Sequence, residues 1–134
     1  MKSQMVLELS DVKRALAAAE QEASDNGWAV SIAVCDAGGV LMGMLRMDNA
    51  ASMSAVVAPE KARTSVMTRK PSAAFEEMLS QGRSALLTMN SSLLAGGEPV
   101  IVDGVVIAAV GVSGVAADDD VQVARAAVAA LLAG

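Results

Sequence analysis

The 134-residue sequence contains no histidine and no tyrosine, and its single cysteine is Cys35. Without histidine, one chain cannot build a Ser-His-Asp or Cys-His catalytic site. A conventional zinc site draws on His and several Cys, so we predict no metal site. One cysteine also excludes a disulfide within the chain. Acid–base chemistry would therefore fall to Asp, Glu, Lys, Ser, Thr or Cys35.

Aromatic side chains are nearly absent, since Trp28 and Phe75 are the only two. Residues of the apolar types make up 54% of the chain, so Ala, Val, Leu and nine Met must fill the interior. An apolar excess on so short a chain suggests that part of it is buried between subunits. We therefore expect a homo-oligomer.

Long apolar runs and basic clusters are missing as well. No uninterrupted apolar stretch approaches the roughly 18 residues that span a membrane, and residues 1–9 lack the apolar region of a signal peptide. The formal net charge is −5 and the cations are scattered, which argues against a nucleic-acid surface. We expect a cytoplasmic protein with neither a membrane nor a nucleic-acid partner.

Apolar spacing predicts the order helix, hairpin, helices, hairpin, helix. Helices are expected over 11–25, 51–69 and 73–81 and from Asp118 onward, and strands over 28–36, 40–46, 99–102 and 105–113. Residues 83–95 are expected to be irregular, with room for one helical turn. Hairpins imply an antiparallel sheet with helices packed on its faces, an α/β (α+β) fold. No linker or repeat divides the chain, so residues 1–134 are predicted to form one domain.

Local signals mark the helix ends. Ser10 is predicted to be the N-cap of the first helix, and Ser72 that of the third. Pro59 interrupts the second, because proline lacks a backbone donor and disfavours helix at the residue before it. Either one kinked helix or two successive helices would satisfy the pattern.

Lys61, Thr64 and Thr68 share one helix face by their spacing. One cation and two hydroxyls could orient an anionic ligand, but a plain surface stripe has the same pattern. Arg46 ends a strand, where its guanidinium could grip a carboxylate or lie solvated over apolar surface.

Adjacent Gly96 and Gly97 allow a ligand to approach the backbone, or simply permit a tight turn. Ser113 at a strand end is equally ambiguous. Five methionines could line a flat apolar ligand, fill the core or form an interface: Met42, Met44, Met47, Met53 and Met67. Of these, Met42 and Met44 are expected on one face of their strand.

Six segments together resemble the GlcG/HbpS-like haem-binding, or haem-degrading, family. They are VSIAVCDAGGVL (30–41), LRMDNA (45–50), KARTS (61–65), RKPSAAF (69–75), GGEPV (96–100) and DGVVIAAVGVSG (103–114). The family also includes the C-terminal domain of propanediol-utilisation-type cobalamin adenosyltransferases. The resemblance implies a profilin-like α/β sandwich with an antiparallel sheet, assembled as a homo-oligomer.

Haem is the cofactor that the resemblance implies. His and Tyr, the usual strong ligands of ferric iron, are absent here, so a Thr oxygen, a Met sulfur, Cys35 or a Lys nitrogen would have to replace them. The predicted ligand-binding residues are Arg46, Lys61, Thr64, Thr68, Gly96, Gly97 and Ser113.

Three functions remain open at this point. The first is binding of haem or a similar apolar, anionic small molecule. The second is a cofactor-free isomerase, tautomerase or lyase acting on a small carboxylate, in which Glu98 or Asp36 moves the proton. The third is an accessory subunit without a small-molecule site.

Overall fold

A computed structural model describes residues 1–134. Its elements, in chain order, are α1 (Leu9–Asp25), β1 (Ser31–Asp36), β2 (Leu41–Arg46), α2 (Ser52–Thr68), α3 (Ala73–Ser80), a 3₁₀ helix (Ser84–Met89), β3 (Gly97–Val102), β4 (Val105–Ser113) and α4 (Ala117–Ala133). The four strands form one sheet in the order β2-β1-β4-β3, and every neighbouring pair is antiparallel. The predicted antiparallel sheet with covering helices is confirmed.

The sheet is covered on both faces. Alternation along β1 sends Ile32 and Val34 into the larger core, which α1 and α4 close. Cys35 points the other way and packs with Ala62 and Val66 of α2. Two helices therefore lie on one face, and α2 lies alone over β4, β1 and β3 on the other.

Two glycines allow α2 to approach the sheet closely. Gly97 of β3 and Gly111 of β4 are paired across the strands. A Cβ atom on Gly111 would collide with the Ala58 carbonyl oxygen of α2, and one on Gly97 would lie 2.8 Å from the Lys61 carbonyl carbon. The backbone of α2 thus packs directly on the strands at the point from which the Lys61 side chain leaves the helix.

Several predicted boundaries were wrong. The N-cap of α1 is Glu8 and not Ser10, because the Glu8 amide donates to the Asp11 carboxylate at 2.8 Å in a capping box. Strand β1 begins at Ser31 and not at 28, whereas β3 begins two residues before the predicted start. Of the two arrangements left open, α2 is a single helix through Pro59, held against the sheet on both sides of the proline.

A β-bulge changes the expected placement of the methionines. The β1–β2 register shifts between Val34 and Cys35, which leaves Met42 as the extra residue of β2. Met42 consequently packs against the α1/α4 core, while Met44 stays paired with Ala33. The two side chains do not share a face, since the extra residue resets the alternation.

No helix of the chain is both long and apolar enough to cross a membrane.

Candidate functional site

A pocket of about 230 Å³ opens where α2, the end of β4 and the start of α4 meet. Its lining residues are Lys61, Glu76, Leu94, Ala95, Ser113, Val115, Ala117 and Asp120. We call it the Lys61 pocket. It combines three charged side chains, a hydroxyl and an apolar remainder, so both polar and apolar parts of a ligand could be met there.

A buried ion pair forms the floor of the Lys61 pocket. The Lys61 ammonium donates to the Val112 carbonyl oxygen at 2.9 Å and to Asp120 Oδ2 at 3.1 Å. Asp120 Oδ1 accepts from the Val115 amide at 3.2 Å. Burial raises the pKa of the Asp120 carboxyl, and Lys61 opposes that shift. The lysine charge is thus balanced within the chain.

Ser72 and the glycine pair build the wall beside this ion pair. The Ser72 hydroxyl accepts from the Gly97 amide at 2.8 Å and donates to the Leu94 carbonyl at 2.6 Å. Ser72 stands at the N-cap position of α3, but its side chain makes no cap bond. Gly96 has a φ of +125°, and a Cβ there would lie 3.0 Å from Lys61 Nζ. The glycines therefore serve close packing around Lys61.

A second, apolar pocket of about 360 Å³ adjoins the first. Its lining residues are Glu76, Leu79, Leu87, Asn90, Ser91, Leu93 and Leu94, and we call it the leucine pocket. Glu76 and Leu94 line both pockets. Glu76 Oε2 accepts from the Ala95 amide at 2.8 Å, which fixes the carboxylate at the boundary. The two pockets are thus neighbours with a common wall, and we refer to them together as the cleft, with the leucine pocket as its apolar end and the Lys61 pocket as its polar end.

Thr64 secures the segment that carries the leucine pocket. Its hydroxyl donates to the Ser92 carbonyl at 2.7 Å and is paired with the Ser91 hydroxyl. The Thr68 hydroxyl turns back to the Thr64 carbonyl at 2.6 Å. Lys61, Gly96, Gly97 and Ser113 are thus brought together, Thr64 supports them from one helical turn away, and Thr68 lies outside the cleft.

Arg46 and Asp36 lie away from the Lys61 pocket. Arg46 is exposed and pairs with Ser31, which in turn pairs with Ser113, so two strand spacings separate it from the pocket. Asp36 stands at the opposite end of β1. Its carboxylate accepts from the Gly38 and Val40 amides at 2.9 and 3.0 Å and thereby closes the β1–β2 loop.

Glu98 lies on the opposite face of the sheet from Gly97, because neighbouring residues of a strand point to opposite sides. It is buried toward α4, 3.5 Å from the guanidinium of Arg125, and its Oε1 makes no hydrogen bond. Burial raises the pKa of the Glu98 carboxyl, and Arg125 opposes the shift. Its catalytic role stays a prediction, and the structure separates it from the cleft.

Sequence reasoning missed Asp120, Glu76 and the four leucines of the cleft. Asp120 is one of three consecutive aspartates that also suit a helix start. Only its place on α4 sets it apart from Asp118 and Asp119, since it alone of the three is buried. Leu87, Leu93 and Leu94 lie between α3 and β3, where no strand or α-helix period marks them, and Leu79 lies on α3.

The fold and the cleft define a small α/β protein with a ligand-sized opening. Residues 7–129 match the family described as "Haem degrading protein HbpS-like", and the chain belongs to that family. Protein GlcG of Escherichia coli is 45% identical over 114 residues, covering 84% of this chain and 85% of that protein. Corrinoid adenosyltransferase PduO of Salmonella typhimurium is 28% identical, covering 97% of this chain and 40% of that protein.

Solved structures share the whole fold. Klebsiella pneumoniae protein ORFY has a TM-score of 0.91 at 30% identity. The match covers 100% of this chain and 97% of the ORFY chain. A double mutant of Streptomyces reticuli HbpS has a TM-score of 0.87 at 34% identity, and the match covers 96% of this chain and 89% of the HbpS chain. A PduOC:heme complex has a TM-score of 0.87 at 25% identity, and the match covers 94% of this chain and 95% of the PduOC chain. The predicted family resemblance is confirmed.

The cleft fits haem only in part. The four leucines of the leucine pocket offer an apolar wall of the kind that a flat apolar ring requires. A protein usually holds haem iron through His, Tyr, a Cys thiolate or Met. The residues that line the two pockets include none of these, so the cleft fits the ring and lacks an axial ligand for the iron.

Proposed function

We propose that this protein binds haem or a similar flat, apolar, anionic molecule in the cleft formed by the leucine pocket and the Lys61 pocket. The observation that carries the proposal is that an apolar and a polar pocket lie side by side and share the lining residues Glu76 and Leu94. The match to the HbpS-like family and the likeness to the PduOC:heme complex support it.

The polar end retains two groups for an anionic substituent. The Lys61 ammonium has three N–H donors, of which the chain uses two. The Ser113 hydroxyl makes no hydrogen bond within the chain and lines the same pocket. The carboxylates of Asp120 and Glu76 oppose a second negative charge, so most of the binding free energy is expected from apolar contact.

A hemin titration with a matched pair of variants tests this function. Leu94 is 50% exposed in the cleft and Leu132 is 54% exposed on α4, so aspartate is tolerable in the fold at both positions. We expect a saturable Soret shift with the unaltered protein and with Leu132→Asp, and an affinity at least tenfold lower for Leu94→Asp. A non-saturating spectrum, or equal affinities for both variants, would refute the proposal.

A homo-oligomer is part of the proposed function, and α2 offers a surface for it. Met53, Val56, Glu60, Arg63 and Met67 follow one outer stripe of the helix and are all exposed. Two such helices packed antiparallel about a two-fold axis place Glu60 opposite Arg63, and Val56 opposite Met67, of the other copy. The stripe is therefore complementary to itself in charge and in apolar contact.

A single domain over residues 1–134 is proposed because α1 and α4, from the two ends of the chain, close one core with the sheet. The profilin-like designation and the cytoplasmic location stay predictions from the sequence.

A further inference from the structure

We infer that the cleft recognises the porphyrin ring and not the metal at its centre, so that metal-free porphyrin binds as well as haem. The inference rests on the proposed function and names the ligand class of the same site: flat apolar macrocycles with anionic edges, independent of iron. It follows from the donor groups that line the leucine pocket and from the places of the stronger iron ligands elsewhere in the chain.

The polar side chains of the leucine pocket are all oxygen or amide groups, and two are already engaged. Glu76 Oε2 holds the Ala95 amide at 2.8 Å, and the Ser91 hydroxyl is paired with Thr64. Asn90 is the third polar residue of the lining. No imidazole, phenol, thiol or thioether lines this pocket, so the groups that commonly bind haem iron are missing where the ring would lie.

The stronger potential ligands elsewhere in the chain are engaged or out of reach. Cys35 is buried beneath α2 with Ala62 and Val66, on the sheet and outside both pockets. Burial raises the pKa of its thiol to about 11, which leaves little of the thiolate that iron requires. The Lys61 nitrogen is committed as an ammonium to Asp120.

The threonine hydroxyls are engaged as well. Thr64 bonds to Ser91 and Ser92, Thr68 to the Thr64 carbonyl and Thr88 to the Ala85 carbonyl, and none of the three lines either pocket.

Thioethers are the last candidates. Met78 packs against the cluster of Phe75, Leu86 and Leu93 beneath the leucine pocket, and Met89 ends the neighbouring 3₁₀ helix. Neither lines the pocket. Ring burial against leucine is therefore the main source of affinity, and it is the same for a porphyrin with or without a metal.

The test compares hemin, zinc protoporphyrin and metal-free protoporphyrin on the native chain by Soret and fluorescence titration. We expect saturation at the same stoichiometry and dissociation constants within about threefold of one another. A hemin affinity more than tenfold above that of metal-free protoporphyrin would overturn the inference and leave the proposed function intact. Failure of all three probes to saturate would overturn the proposed function itself.

Three single-residue variants provide a second, independent test of whether the iron contributes to binding. Leu94→Asp should weaken all three probes by the same factor, because it disturbs the ring contact that they share. Met78→Leu and Met89→Leu should leave the three affinities and the hemin spectrum unchanged. Selective loss of hemin affinity in either methionine variant would reveal an axial thioether and overturn the inference.

Discussion

Lys61 Nζ lies 3.1 Å from Asp120 Oδ2, and both side chains are only 4% exposed. The two residues are 59 positions apart and join α2 to the first turn of α4. The pair therefore fixes the helix of one sheet face to the helix of the other at the edge of the cleft. Its attraction opposes the cost of burying two charges, and each charge depends on the other.

Removing the Lys61 charge while keeping that of Asp120 should destabilise the protein. Lys61→Met leaves the Asp120 carboxylate buried without its cation, so we expect the free energy of unfolding to fall by about 3–5 kcal/mol. The double variant Lys61→Met/Asp120→Leu removes both charges and should recover most of that loss. Urea denaturation measures both. A double variant as unstable as the single one would contradict the assignment.

Glu98 should make the protein less stable as the pH rises. Its pKa in the folded chain lies above its ordinary value of 4.5, so the folded state binds the proton more tightly than the unfolded state. The contribution of Glu98 to the free energy of unfolding is therefore fully present below pH 4.5, and it is lost as the pH rises through the raised pKa. Glu98→Gln should match the unaltered protein near pH 3 and be more stable at pH 7.

The free energy of unfolding is measured against pH for Glu98→Gln and for the unaltered protein. The difference between the two profiles isolates Glu98, because the titration of Asp120 is common to both proteins. Glu77→Gln, at an exposed position of α3, serves as the control and should leave the pH dependence unchanged. A constant difference between Glu98→Gln and the unaltered protein from pH 3 to 7 would refute the assignment.

The α2 stripe should pair in an antiparallel manner with that of a second copy. Glu60→Arg places like charges opposite each other, which should raise the dissociation constant of the oligomer about tenfold or more. The charge-swapped double variant Glu60→Arg/Arg63→Glu should restore assembly. Sedimentation velocity across a dilution series checks this, and a double variant that stays dissociated would refute the antiparallel register.

Gly111 should tolerate no side chain. A Cβ there would collide with the Ala58 carbonyl and lie 2.6 Å from the Ala62 amide nitrogen, both of them backbone atoms that cannot swing aside. We expect Gly111→Ala to lose about 3 kcal/mol of stability. Gly38→Ala, where the nearest atom is 3.4 Å away, should change stability by at most about 0.5 kcal/mol in the same denaturation assay.

Much of the fold was predictable from local patterns. Alternation in residues 31–36 and the Asp103–Gly104 turn, whose two residues both have positive φ, indicated the hairpins correctly. The site was only partly predictable. Gly96, Gly97, Lys61 and Ser113 do converge, but the expected start of β3 at Pro99 hid the fact that Glu98 already alternates away from Gly97.

The sequence by itself determined the type and order of the elements and the family, because periodicity, turn residues and short motifs are local properties of the chain. Tertiary structure alone decided which charges meet. It buried Asp120, and neither Asp118 nor Asp119, against Lys61, and it brought the leucines before β3 into one wall beside that pair. Such contacts depend on how helices pack across a sheet, and no spacing along the chain encodes that distance.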